Sequence, residues 1–166
     1  LHTLFPYTTL FRSCLAYVDA TYQSKLTLTL ANNPDADANG NILVTPGNKI
    51  PGISPLQFKL GGDYKMTSAW TLGGDVIANS GQYYVGDDSN KNARLGGYTV
   101  FNVHSAYQLT DNIRLFAKLD NALNRQYATH GGFAAVGDIP SLGLSNPQST
   151  TPAAPRSMFA GFNIKF

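Results

Sequence analysis

Glutamate is absent from this 166-residue sequence, and all 10 of its acidic residues are Asp. A chain without one of the good helix formers, yet rich in Gly, Asn, Thr, Tyr and Phe, favours strands joined by turns. Cysteine occurs once, as Cys14, which excludes an internal disulfide and leaves no thiolate cluster for a metal. No apolar run approaches the roughly 18–20 residues that a membrane-spanning helix requires. Charge is also sparse. The 12 basic residues are scattered and the net charge is only +2, so there is no basic stripe to hold nucleic acid. Two classes survive, a soluble β-protein and a membrane β-barrel.

What the sequence does contain is alternation with a period of two, the mark of a strand whose two faces meet different surroundings. It predicts an all-β antiparallel meander of about six strands, near 15–30, 55–66, 70–83, 97–109, 112–125 and 156–166. In 16–30 the even positions, among them Ala16, Val18, Leu26 and Leu28, form the apolar set, against Tyr17, Asp19, Lys25 and Thr27. In 55–66, Leu56, Phe58, Leu60 and Tyr64 oppose Gln57, Lys59, Asp63 and Lys65. The same division separates Trp70, Leu72 and Val76 from Asp75, Phe101 and Val103 from His104, Leu115 and Leu119 from Arg114 and Lys118, and Phe162 and Ile164 from Lys165. Every charge in these strands falls on the polar face. A lipid-facing Lys or Arg costs about 2–4 kcal/mol near the bilayer midplane, which gives such a division its physical reason.

A soluble sandwich also has one apolar face, so three further features favour the membrane barrel. Short connections at 67–69 and 110–112 alternate with long polar ones at 31–54, 81–97 and 125–156, as in outer-membrane barrels. Aromatic residues gather at strand ends, with Tyr64, Trp70, Tyr107 and Phe166 at one side and Tyr83, Tyr84, Tyr98 and Tyr127 at the other, as interfacial girdles do. The last strand is apolar and closes on Phe166.

The segments Tyr-Val-Asp-Ala-Thr-Tyr at 17–22, Gly-Asn-Lys-Ile-Pro-Gly at 47–52, Tyr-Thr-Val-Phe-Asn-Val at 98–103, Leu-Asp-Asn-Ala-Leu-Asn-Arg-Gln-Tyr at 119–127 and Gly-Phe-Asn-Ile-Lys-Phe at 161–166 follow one another in order. With them, residues 15–166 resemble the C-terminal third of TonB-dependent outer-membrane receptors. The resemblance implies a barrel of about 22 strands around an N-terminal plug, of which residues 14–166 are an open C-terminal segment. It also implies uptake of a scarce nutrient such as a ferric siderophore, energised by the TonB system through a plug that this sequence does not contain. Outer-membrane lipid and the barrel-assembly machinery are the further partners implied. The terminal Gly161, Phe162, Ile164 and Phe166 resemble the machinery's recognition signal, although Phe159 stands where a large polar residue is usual. Residues 1–13, LHTLFPYTTLFRS, are similar to a translated sequencing-library adapter and are expected to be non-native.

Few residues invite chemistry. No Ser, His and acid combination stands in a nucleophile setting and Gly-x-Ser-x-Gly is missing, so no enzyme and no cofactor are expected. An outer-membrane enzyme of the lipase type and a structural or adhesive barrel are the alternatives. The run Asp35-Ala-Asp37-Ala-Asn39-Gly40 has the start of a calcium loop but lacks its later Glu, and is read with Asp87-Asp88 as solvated turns. His104 is read as a polar-face residue bonded to its neighbours. Ligand contact, of a small anionic or aromatic species such as a metal chelate, is assigned to Tyr83, Tyr84, Arg125, Tyr127 and His130 in the long loops, where aromatic and cationic groups can stack and pair.

Overall fold

The computed structural model describes residues 9–135, 143 and 146–166. Its ten strands are β1 (Thr9–Tyr17), β2 (Leu26–Thr29), β3 (Asn41–Val44), β4 (Leu56–Lys65), β5 (Trp70–Asn79), β6 (Tyr98–Gln108), β7 (Ile113–Asp120), β8 (Ala128–Phe133), β9 (Gln148–Pro152) and β10 (Ser157–Ile164). Six of them form one antiparallel sheet in the order β1-β4-β5-β6-β7-β10, while β2-β3 and β8-β9 are separate two-stranded hairpins. Among the described residues there is no helix. The meander expected from alternation is therefore present, with the two hairpins built inside what read as loops.

Directly opposed residues share a face of the sheet, so the register sorts the side chains. One row crosses the sheet as Leu15, Phe58, Ala78 and Thr99, and the next as Ser13, Leu60, Val76 and Phe101. A third runs Phe11, Gly62, Gly74, Val103, Leu119 and Met158, and a fourth Trp70, Tyr107, Leu115 and Phe162. None of these rows carries a charge. Arg12, Lys59, Asp63, Asp75, His104, Arg114 and Lys118 all take the opposite parity. The apolar face is open, with Leu15 at 68%, Phe162 at 65% and Met158 at 76% exposure. A water-soluble domain would leave this face uncovered at great cost, whereas hydrocarbon suits it.

The first predicted strand needs correction. Residues 15–30 are not one strand: β1 ends at Tyr17, and Leu26–Thr29 belongs to the first hairpin. Tyr17 opposes Leu56, yet Thr21 bridges Lys49, so four residues on one strand are matched by seven on the other. The register thus slips by three residues. An odd slip exchanges the two faces. Before it, odd-numbered Leu15 and Tyr17 join the apolar face and Ala16 the charged one; after it, even-numbered Leu26 and Leu28 oppose Val44 and Ile42. Backbone pairing survives the joint, with the Val18 N–H donating to the Pro55 carbonyl, Ile50 N–H to Ala20 and Tyr22 N–H to Asn48. The adapter-like segment contributes Thr9–Ser13 to β1, and its first eight residues lie outside those described.

The buried core is not centred on the sheet. Of the described buried apolar residues, Ile42, Val44, Tyr84 and Leu95 lie in the hairpin and the 81–97 loop, and only Val100 lies in a wall strand. The wall is one layer thick and depends on what lies against its two faces, while the loops have a core of their own.

Candidate functional site

The charged face of the sheet carries a row of paired polar groups. Asp63 on β4 and His104 on β6 flank Gly73 of β5 in one register row, and His104 Nε2 lies 2.7 Å from Asp63 Oδ1. They meet because Gly73 leaves the intervening position empty: a Cβ there would stand 2.3 Å from Nε2 and 2.5 Å from Oδ1. Beside them Asn102 Nδ2 donates to Asp75 Oδ2 at 2.7 Å, and Asn102 Oδ1 accepts the Asn121 N–H at 2.9 Å. Lys118 Nζ is 2.9 Å from Asp120. These half-exposed pairs contribute little to stability individually, but they make this face hydrophilic.

At the loop end of the same face is a recess of about 580 Å³. Its walls include Gln57, Lys59, Asn79, Gln82, Tyr98 and Thr129. Strand parity places Gln57, Asn79 and Tyr98 in one row and Lys59 in the next, so their amide, ammonium and phenol groups converge on one opening. Among the described residues no carboxylate pairs with Lys59. The arrangement offers donors and one cation without a nucleophile or a metal cluster. It can bind and orient a polar or anionic guest.

The loops above are fastened together. Asp87 is fully buried and accepts from the backbone N–H groups of Lys91 and Asn92, the Asn92 Nδ2 and the Ser89 hydroxyl. Asn92 also reaches Asn33 and Asp35 of the first hairpin, and Asn33 Nδ2 donates to the Gly86 carbonyl at 2.7 Å. Asn48 Nδ2 donates to the carbonyls of Asp88 and Ser89. The Tyr22 hydroxyl donates to Asp88, and burial, reinforced by that bond and by the Asp88 charge, pushes its pKa up to about 12. On the other side, the Val85 N–H donates to Gly131 and the Phe133 N–H to Val85. The 81–97 loop is therefore clamped between both hairpins. Asp35, Asp87 and Asp88, expected as solvated turns, are members of this network, with Asp87 at its centre.

The residues assigned to ligand contact from the sequence are distributed over different surroundings. Tyr84 is buried, stacked on Phe133 at 5.8 Å and lying over Gly131, where a Cβ would approach its ring to 2.7 Å. Its position is a packing one. Tyr83 carries the Arg94 guanidinium 5.1 Å from its ring centre. Tyr127 tilts against Tyr98 at 4.3 Å, with burial and that neighbour raising its pKa. Tyr98 opposes Asn79 on the charged face, so this pair is not part of an apolar-face girdle, which corrects the expectation for both. At the other end Trp70 and Tyr107 do oppose each other on the apolar face, and Trp70 Nε1 donates to Ser105. His130 is exposed on β8, opposite Thr151. Arg125 lies apart, beside Leu56, Phe58 and Leu123 of the apolar face. Reasoning from the sequence missed Gln57, Lys59 and Asn79 as a group. Their shared parity was a usable signal; their convergence with Gln82 and Thr129 required the loops.

At the carboxyl end, Phe162 and Ile164 oppose Leu115 and Ile113 on the apolar face. Gly161 opposes Phe116, whose ring lies where a Cβ would sit, 2.6 Å from its tip. Phe166 is fully exposed beyond β10, an edge strand of the sheet.

Comparison with known proteins agrees with this geometry. The sequence profile described as "TonB dependent receptor-like, beta-barrel" matches residues 8–122. No curated protein sequence matches the chain. Among solved structures, the siderophore receptor PiuA from Acinetobacter baumannii is similar with a TM-score of 0.72 at 15% identity, over 97% of this chain and 20% of that one. The ferric yersiniabactin uptake receptor FyuA from Yersinia pestis gives 0.58 at 16% identity, over 76% and 20%. The ferric-catecholate import receptor Fiu from K12 E. coli gives 0.57 at 17%, over 71% and 15%. The chain spans about a fifth of the length of these structures, and at such identities the likeness concerns the fold.

Proposed function

The chain belongs to the TonB-dependent receptor-like β-barrel family, and on that premise we propose that it forms part of the wall and outer loops of an outer-membrane uptake receptor. The observation that carries this reading is the division of the six-stranded sheet into one face without charge and one with all of it. A barrel wall between lipid and an aqueous lumen needs that division. The reading extends to import of a scarce nutrient, such as a ferric siderophore, driven by TonB through a plug. The chemistry in view is binding and release, with no bond broken.

The ligand meets the wall at the recess around Gln57, Lys59, Asn79 and Gln82, and approaches past Tyr83, Tyr127 and His130 in the loops. Carboxamides, one cation and phenol rings suit an anionic, oxygen-rich chelate. Residues 14–166 act as a C-terminal portion of the barrel, and Gly161, Phe162, Ile164 and Phe166 as its assembly signal. Residues 1–13 are adapter-derived and occupy the place of a native half-strand, which sequencing of the parent locus tests.

The functional test is uptake of radiolabelled iron chelates by cells carrying the full receptor. Lys59→Ala lowers uptake of anionic chelates, and loss of TonB abolishes it. Uptake of no chelate, or uptake indifferent to TonB, would sink the proposal.

A further inference from the structure

A second recess, of about 640 Å³, opens on the opposite face of the wall at its loop end. Leu56, Phe58, Ala78 and Phe101 form its floor, Leu123 lies beside them at 71% exposure, and Arg125 stands at its lip. Leu56, Phe58, Ala78 and Phe101 share the uncharged parity that the proposed function assigns to lipid.

Arg125 is held there by its backbone. Its N–H donates to Asn121 Oδ1 at 2.8 Å, and its carbonyl accepts from Asn121 Nδ2 at 2.9 Å. Asn121 is buried, and both Asn121 and Asn124 take positive φ, at 49° and 51°, a conformation that Asn tolerates better than most residues. Asn124 Oδ1 in turn accepts the N–H of Arg156 at 3.2 Å. One tight turn thus brings two arginines to the rim. Among the described residues neither guanidinium has a carboxylate within ion-pair distance.

A cation beside a hydrocarbon-facing groove is unfavourable unless an anion meets it at headgroup depth. Guanidinium groups match phosphate in shape as well as charge. We propose that this recess binds a phosphorylated lipid of the membrane leaflet on the loop side, with an acyl chain against Phe58 and Phe101 and the phosphate on Arg125 and Arg156. The proposal rests on reading the uncharged face as the lipid-facing one.

The test is native mass spectrometry of the full receptor in a neutral detergent, titrated with diphosphorylated lipid A and, separately, with its phosphate-free form. The wild type retains the phosphorylated form preferentially. Arg125→Ala with Arg156→Ala weakens that retention about tenfold, while Arg125→Lys keeps part of it and the phosphate-free form is unaffected by either change. Unchanged retention in the double variant overturns the site, as does equal retention of the two lipids by wild type. A receptor that stays monodisperse without detergent and retains neither lipid overturns the lipid-facing reading itself.

Discussion

His104 Nε2 and Asp63 Oδ1 lie 2.7 Å apart although β5 runs between their strands. Each reaches over Gly73, the one residue of their row without a side chain to stand in the way. The contact is thus a property of three residues.

Gly73→Ala therefore separates the pair, because its methyl group takes the space the two side chains share. Overpacking of this kind costs about 1–3 kcal/mol. Unfolding of the full receptor in detergent, followed by loss of its heat-resistant gel mobility, measures it. In a His104→Ala background the cost of Gly73→Ala falls; an equal cost in both backgrounds would mean that the pair is not what the glycine accommodates.

Phe58→Arg places a charge on the uncharged face and is expected to cost about 2–4 kcal/mol if it lies near the midplane, lowering abundance in the membrane fraction. Lys59→Leu, one residue on and facing the other way, leaves abundance near wild type. Leu28→Arg gives a third outcome, because Leu28 opposes Ile42 in the first hairpin: normal insertion with protease-sensitive loops. Equal membrane defects in all three would count against the face assignment.

Removal of the Asp87 carboxylate deprives two backbone N–H groups, an amide and a hydroxyl of their acceptor. Leaving buried donors unpaired costs about 1–3 kcal/mol each where water cannot replace the lost partner. Asp87→Ala is expected to expose 81–97 to limited proteolysis while the wall strands stay protected by hydrogen exchange. Cleavage as slow as in wild type would show that the clamp holds without its centre.

Tyr22 links this clamp to pH. Its pKa in the folded chain is raised from 10.0 to about 12, so folding favours the neutral phenol. Its stabilising contribution is whole below pH 10 and is lost as pH rises through about 12, where the phenolate would face Asp88. Loop protection should fall over that interval in wild type. In Tyr22→Phe that part of the pH dependence should vanish, and its persistence would assign the transition to another group.

Expressed by itself without detergent, the chain is expected to aggregate. Its sheet leaves β1 and β10 as edges with unpaired backbone groups, and its apolar face is uncovered, a combination that promotes association. A monodisperse, cooperatively unfolding monomer in plain buffer would contradict the wall reading.

The wall was legible from the sequence because lipid on one side and water on the other impose a two-residue period that five of the six strands obey without interruption. Leu56–Lys65 and Ser157–Ile164 fall within the ranges their alternation predicts. The first strand was misread because alternation reports a phase but not a break in it, and the even-numbered leucines of 26–30 set the phase for Ala16 and Tyr17 as well. The loops were harder for another reason. Their hairpins and clamp are held by contacts between segments far apart in the chain, such as Asn33 with Gly86 and Asn48 with Ser89, and no local pattern encodes those. Arg125 illustrates the limit. Its place in a long loop suggested a ligand contact, whereas the turn through Asn121 carries it to the apolar side.

The three-residue slip between Tyr17–Leu56 and Thr21–Lys49 has a bearing on how such a chain can change over generations. Wall and hairpin are joined by backbone pairing but do not share a side-chain phase, so neither dictates the alternation of the other. An insertion, a deletion or a wholesale exchange between Val18 and Pro55 leaves the order of lipid-facing and water-facing residues in β1 and β4 untouched. The outer loop can therefore diverge quickly, under pressure from whatever binds it, while the strands that anchor it stay as they are.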